Sequence, residues 1–177
     1  MAKPFDYLPE LTDHVVRLRP MVPNDVDPLH AVASDPLIWE QHTQTDRHER
    51  DIFRRFCDDA LAGTGALVIE DAATGAMIGS SRFHGHDADA SEVEIGWTFL
   101  ARSHWGGATN ARVKRLMLDH AFRWVDRVVL LIAPSNLRSQ GAARKIGARL
   151  EGERPNARGE PSLVFAVARP FAVDRPV

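Results

Sequence analysis

Residues 91–125 read SEVEIGWTFLARSHWGGATNARVKRLMLDHAFRWV, and this stretch decides the fold. From Glu92 to Phe99 the chain alternates. Val93, Ile95, Trp97 and Phe99 fall on one face, and Glu92, Glu94, Gly96 and Thr98 on the other, the period of a half-buried strand. Gly106 and Gly107 then form a turn. Ala111 to Val125 follows with Val113, Leu116, Met117, Ala121 and Val125 at helical spacing. A strand, a glycine turn and a helix start make an anion site, because unpaired amides and the helix dipole converge on the turn.

Outward from that stretch the chain reads as one α/β domain. His14 to Met21 forms a first strand, and Pro23-Asn24-Asp25 opens a helix that Asp35-Pro36 breaks. Ile38-Trp39 lies in a short segment, and Ile52, Phe53, Phe56 and Ala60 mark a further helix that Gly63 ends. Ala66–Glu70 and Ala76–Phe83 pair across a turn containing Gly75, and His84 to Ala90 reads as a polar loop. Arg127 to Ala133 is almost wholly apolar, as in a strand covered on both faces. Asn136 to Ile146 is helical with Gly147 as its stop, and Ala148–Arg154 and Ser162–Arg169 are the last strands. The order is β-α-α-β-β-β-α-β-α-β-β. Residues 1–13 are expected to form an N-terminal arm, 14–170 the domain and 171–177 a tail.

Composition narrows the function. A formal charge of −2 offers no basic excess for nucleic acid. No apolar run reaches the length of a membrane span, and the first residues lack a signal-peptide core. A single cysteine, Cys57, excludes an internal disulfide and a cysteine-built zinc site, so a cytoplasmic location is expected. His84-Gly85-His86 offers two histidines without a third ligand, so no metal is expected. The glycine turn is neither a Walker loop, which needs a following lysine, nor a dinucleotide fingerprint, which needs three glycines in register.

Together these pieces resemble the GNAT superfamily of acetyl-CoA-dependent N-acetyltransferases, in its ribosomal-protein-alanine acetyltransferase-like branch. The resemblance rests on Leu18-Arg19-Pro20, Glu94-Ile95-Gly96-Trp97 and His104 to Thr109. It continues through Leu116 to Phe122, Asn136 to Ser139, Lys145-Ile146-Gly147 and Glu151-Gly152. It implies a single domain with a mixed, mostly antiparallel sheet flanked by helices. It also implies a pyrophosphate loop formed by His104, Trp105, Gly106, Gly107, Ala108 and Thr109, with Ser103 where the family usually has Gln or Arg. The backbone of Thr98, Phe99 and Leu100 would pair with the pantetheine arm, and Asn136, otherwise a helix cap, would contact it. Arg112, Lys114 and Arg115 are either phosphate contacts or a solvated basic face.

Amine attack on a thioester requires a base for the amine and an acid for the thiolate. The resemblance assigns the base to Glu94, with Glu92 on the same face in reserve. A family tyrosine that serves as the acid is replaced here by Ala143, leaving Ser139 as the substitute. Trp39, Glu92 and His84, with His42 and His86, are candidates for the acceptor pocket. Acetyl-CoA is the expected co-substrate and an amine the acceptor, either a protein N-terminus or a small molecule. A homodimer is the candidate assembly. The competing reading is a non-catalytic acyl-CoA sensor.

Overall fold

A computed structural model gives the fold and describes residues 4–170. Its strands are β1 (Leu11–Thr12), β2 (Val16–Pro20), β3 (Ala66–Asp71), β4 (Met77–Asp87), β5 (Glu92–Leu100), β6 (Arg127–Ile132), β7 (Arg149–Pro155) and β8 (Pro161–Ala168). Its helices are α1 (Val26–Ala33), α2 (Arg50–Ala62), α3 (Thr109–Ala121) and α4 (Leu137–Lys145). One 8-stranded sheet runs β1-β2-β3-β4-β5-β6-β8-β7, antiparallel except where β5 meets β6. The element order matches the one read from the sequence, with β1 added in front.

Burial on both sheet faces explains the apolar strands. Leu67 and Ile69 of β3 join Val93, Ile95, Val113 and Met117 in the core under α3. Ala66 and Val68 of the same strand join Leu29, Trp39 and Phe53 in a second core under α1 and α2. Leu130, Ile132, Ala143 and Phe165 form a third beneath α4. Edge strand β7 is exposed along its length, and Glu151, Glu153 and Arg154 guard it against pairing with other chains.

Two local readings change. Segment 4–13, expected as an arm, is packed into the domain. Phe5 is buried beside Phe83, Tyr7 Oη accepts from the His86 amide at 2.9 Å, and His120 Nε2 meets the Asp6 carbonyl at 2.7 Å. Strand β4 runs on through Asp87, so His84-Gly85-His86 lies in a strand rather than in a loop. The expected tail, 171–177, lies outside the described residues.

Arg19 ties the first strand to its neighbours. Its guanidinium donates to both Asp25 oxygens at 2.8 and 2.9 Å, and through Nε to Glu70 at 2.7 Å. Burial pushes the Asp25 pKa up, but the Arg19 fork and the Val22 amide outweigh it and hold the carboxyl below its ordinary 3.8. Arg19→Met strands a buried carboxylate and is expected to cost about 3–5 kcal/mol in urea unfolding at pH 7. A lowered pKa stabilises above the unfolded value and stops doing so as pH falls through the folded one. The gap between variant and parent therefore narrows in acid, and a gap independent of pH excludes the ion pair as its source.

Candidate functional site

Strands β5 and β6 pair only at Glu92–Arg127, Val93–Val128 and Glu94–Val129, and then part. A bulge on β5 accompanies the parting. Ser80 pairs with Phe99 and Arg82 with Gly96, so Ser81 faces two residues, Trp97 and Thr98. Trp97 takes φ +52°, a conformation rare for an aromatic residue.

The extra residue reverses the side-chain parity beyond it, which corrects the simple alternation expected from sequence. Trp97 turns to the Glu94 face, against Arg82 (5.1 Å) and His84 (5.2 Å). Phe99 packs on Trp39 at 5.1 Å under α1 and α2. Thr98 goes the other way, toward α3. The parted strands leave a cleft of about 610 Å³ lined by β5, β6, α4 and the start of α3.

At one end of the cleft is the glycine turn. Gly106 has φ +74°, and a Cβ at Gly106 or Gly107 would meet nothing within 4 Å, so a ligand can approach the backbone there. No side chain caps α3, and the first helical amide with a backbone partner is that of Arg112, bonded to the Ala108 carbonyl at 2.9 Å. Among the described residues the amides of 106–111 have no partner, and this array fits an anion such as phosphate. The open β5 edge continues from it. The Phe99 carbonyl faces Gly79 of β4, so the backbone groups of Thr98 and Leu100 turn to the cleft. Trp105 Nε1 donates to the Leu100 carbonyl at 2.9 Å, and Arg138 of α4 covers the Trp105 ring at 4.1 Å.

The basic residues of α3 do not gather at the turn. Arg112 pairs with Asp13 at 3.2 Å and Arg115 with Asp119 at 3.5 Å. Lys114 is buried, and its Nζ donates to Thr98 Oγ1 at 2.5 Å and reaches Ser81 Oγ at 3.5 Å. It has no ion pair among the described residues, and burial pushes its pKa down to about 7.

Glu94 lies deeper in the cleft and is only 8% exposed. Burial raises its pKa to about 7, with Arg154 and Arg82 opposing the rise and Glu92 adding to it. That value suits a group that takes up a proton near neutral pH. Its neighbour differs. Glu92 is ion-paired with Arg154 at 2.8 Å and Arg127 at 3.3 Å and does not line the cleft.

On the α4 side, Asn136 Oδ1 accepts from the Ser139 amide at 3.0 Å and caps the helix, while both residues line the cleft. His42, Arg47, Arg158 and Glu160 line its far end. Burial, with Arg47 and Arg138 nearby, holds His42 down to about 4, so it is neutral at physiological pH.

The cleft thus brings together Glu94, Ser139, Thr98, Phe99, Leu100, His104, Trp105, Gly106, Gly107 and Asn136. Ala108 and Thr109 do not line it, although their amides belong to the unpaired array. The acceptor candidates Trp39, Glu92 and His84 do not line it. Trp39 is a core residue whose indole donates to the Ala33 carbonyl at 2.7 Å, and His84 packs on Trp97. Cys57 is wholly buried, and burial pushes its thiol up to about 12, which leaves no reactive thiolate. Among the described residues no group of three His, Cys, Asp or Glu side chains could hold a metal, and no helix is long and apolar enough to cross a membrane.

The sequence reading put Lys114 on a phosphate-binding or solvated face and missed Arg47 altogether. Lys114 carried a signal, since it lies three and four positions before Met117 and Leu118, on the buried face of α3. Arg47 carried none, because it sits in a polar stretch without periodicity.

Comparison with known proteins agrees with this fold. A GCN5-related N-acetyltransferase from Brucella melitensis superimposes with a TM-score of 0.81 at 20% identity, over 94% of this chain and 81% of that one. RimJ from Mycobacterium smegmatis, solved with CoA-disulfide, gives 0.67 at 22% identity, over 91% and 86%. Spermidine N-acetyltransferase from Vibrio cholerae, solved with CoA and spermine, gives 0.66 at 18% identity, over 89% and 97%. No curated protein sequence matches the chain. Residues 16–149 match the model of the acetyltransferase (GNAT) domain, so the chain belongs to the GNAT family and is an acyltransferase.

Proposed function

We propose that the protein moves the acetyl group of acetyl-CoA to a primary amine by direct attack in a ternary complex within this cleft. The observation that carries the reading is a buried carboxylate, Glu94, with a pKa near 7 in the same cleft as the unpaired amides of residues 106–111. Acetyl-CoA supplies the activated acyl group. The amides of the glycine turn hold its pyrophosphate, and the open edge of β5 at Thr98 and Leu100 pairs with the pantetheine arm. Glu94 takes the proton from the amine. Ser139 of α4 and Lys114 of α3 line the cleft and can return a proton to the thiolate, in a chain with Ala143 where relatives carry tyrosine. An amine acceptor is supported by the spermine bound in the spermidine acetyltransferase, and the likeness to RimJ keeps protein N-termini among the candidates.

Thiol release from acetyl-CoA, measured against a panel of amines and peptide N-termini, tests the reading. Turnover on at least one amine is expected. Thermal stabilisation by CoA without turnover on any amine would instead mark an acyl-CoA sensor. Gly106→Val separates binding from chemistry. A β-branched residue at φ +74° costs about 1–2 kcal/mol of strain and disturbs the amide array. The expected result is roughly tenfold weaker CoA binding by calorimetry, with unchanged affinity counting against the turn as the phosphate site.

A further inference from the structure

Arg47 is a charged side chain that the reaction above does not use. It is 8% exposed and lines the far end of the cleft. Its guanidinium lies against the rings of Phe56 (4.6 Å) and Trp39 (5.6 Å). Two of its N–H groups, on Nε and Nη2, donate to the neutral Gln44 Oε1 at 3.0 and 2.7 Å. A guanidinium has five N–H donors, so three remain. Among the described residues no carboxylate forms an ion pair with it. Glu160 and Asp46 act on it only through space, without a bond. Glu40 pairs with Arg138 at 3.2 Å, and Glu160 accepts from Asn156 at 3.0 Å and Thr43 at 3.3 Å with Arg158 at 3.7 Å.

A buried cation without a bonded counter-ion is costly, and aromatic faces offset only part of that cost. Burial lowers the Arg47 pKa to about 10, with Arg158 adding to the effect and Glu160 and Asp46 opposing it, so it stays charged at neutral pH. His42 beside it is held neutral by burial first, with Arg47 and Arg138 adding to the effect. Arg158 and Arg138 also line this end.

We propose that Arg47 binds a carboxylate of the acceptor, so that the amine acetylated in this cleft carries an acidic group of its own. The planar fork matches a carboxylate in two parallel hydrogen bonds, and the partner ion relieves the unpaired guanidinium. The carboxylate can be that of a free amino acid or an acidic side chain near a peptide N-terminus. This inference rests on the acetyltransferase reading of the cleft, and it makes Arg47 a specificity residue.

The test is thiol release with the twenty L-amino acids, their α-carboxamides, peptides beginning with Asp, Ser or Lys, and spermidine, on the parent protein and on Arg47→Gln and Arg47→Lys. Amino acids preferred over their carboxamides, or Asp-first peptides over Lys-first ones, support the proposal and identify the source of the carboxylate. In Arg47→Gln the KM for the preferred acid rises by about thirtyfold or more. The KM for acetyl-CoA and for the carboxamides stays the same, and Arg47→Lys recovers part of the loss. Equal use of acid and carboxamide, preference for spermidine, or an equal rise for every acceptor overturns it. If no amine is turned over, the acetyltransferase reading fails by itself, and binding decides this one. With CoA present, N-acetyl-L-glutamate must raise the melting temperature of the parent and not of Arg47→Gln, and no rise in the parent refutes the carboxylate site.

Discussion

Glu94→Gln is expected to lower kcat/KM for the amine by about 10²–10⁴-fold, the range ascribed to a positioned general base, while acetyl-CoA affinity is preserved. Glutamine keeps the size and polarity of the side chain and cannot take the proton. The pH profile adds a second readout. The parent should gain activity as pH rises through about 7, where the Glu94 carboxyl ionises. The variant should keep only the limb contributed by the amine itself.

Stability should move in the opposite sense. The folded pKa of Glu94 lies above its ordinary 4.5, so its contribution is full below about 4.5 and lost as pH rises through about 7. Glu94→Gln should therefore melt with the parent in acid and above it at pH 8. An unchanged rate removes Glu94 from the mechanism. A lower rate without any change in the pH profile assigns it a structural role.

Gly65→Ala should lower stability sharply. Gly65 precedes β3 at φ +88°, and a Cβ there would lie 2.0 Å from the Phe83 carbonyl oxygen and 2.9 Å from its carbon. Both are backbone atoms, and the Phe83 amide is itself bonded to the Gly65 carbonyl at 2.9 Å. Neither strand can yield without breaking that pairing. Left-handed strain of about 1–2 kcal/mol and an overpacking cost of about 1–3 kcal/mol add, giving a loss of about 2–5 kcal/mol. For a chain of this size the melting temperature should fall by roughly 5–15 °C. Calorimetry decides the matter, and a fall of a degree or less would mean that β3 and β4 shift apart freely.

These two residues show what a sequence makes visible. Glu94 could be singled out, because it stands on an alternating strand before a glycine turn and the ordered motifs around it resemble one family. Its burial could not be read, nor the difference between it and Glu92. That difference depends on Arg127 and Arg154, which come from β6 and β7 and form ion pairs with Glu92 but not with Glu94. Trp39 and His84 illustrate the converse. Their residue types suit an acceptor pocket, yet packing carries Trp39 into the core and sets His84 against Trp97.

The sequence by itself determined the element order, the glycine turn before α3, the buried strand β6 and the family they resemble. Periodicity, turn residues and apolar runs are local properties, and a chain carries them before it folds. Only the tertiary structure decided where β5 changes parity, because a bulge is defined by the partner strand, two residues facing the single Ser81 of β4. That one offset turns Thr98 to Lys114 and Phe99 to Trp39. The structure likewise decided that Arg47 would be enclosed without a carboxylate, since a buried charge lacks a partner only relative to everything packed around it.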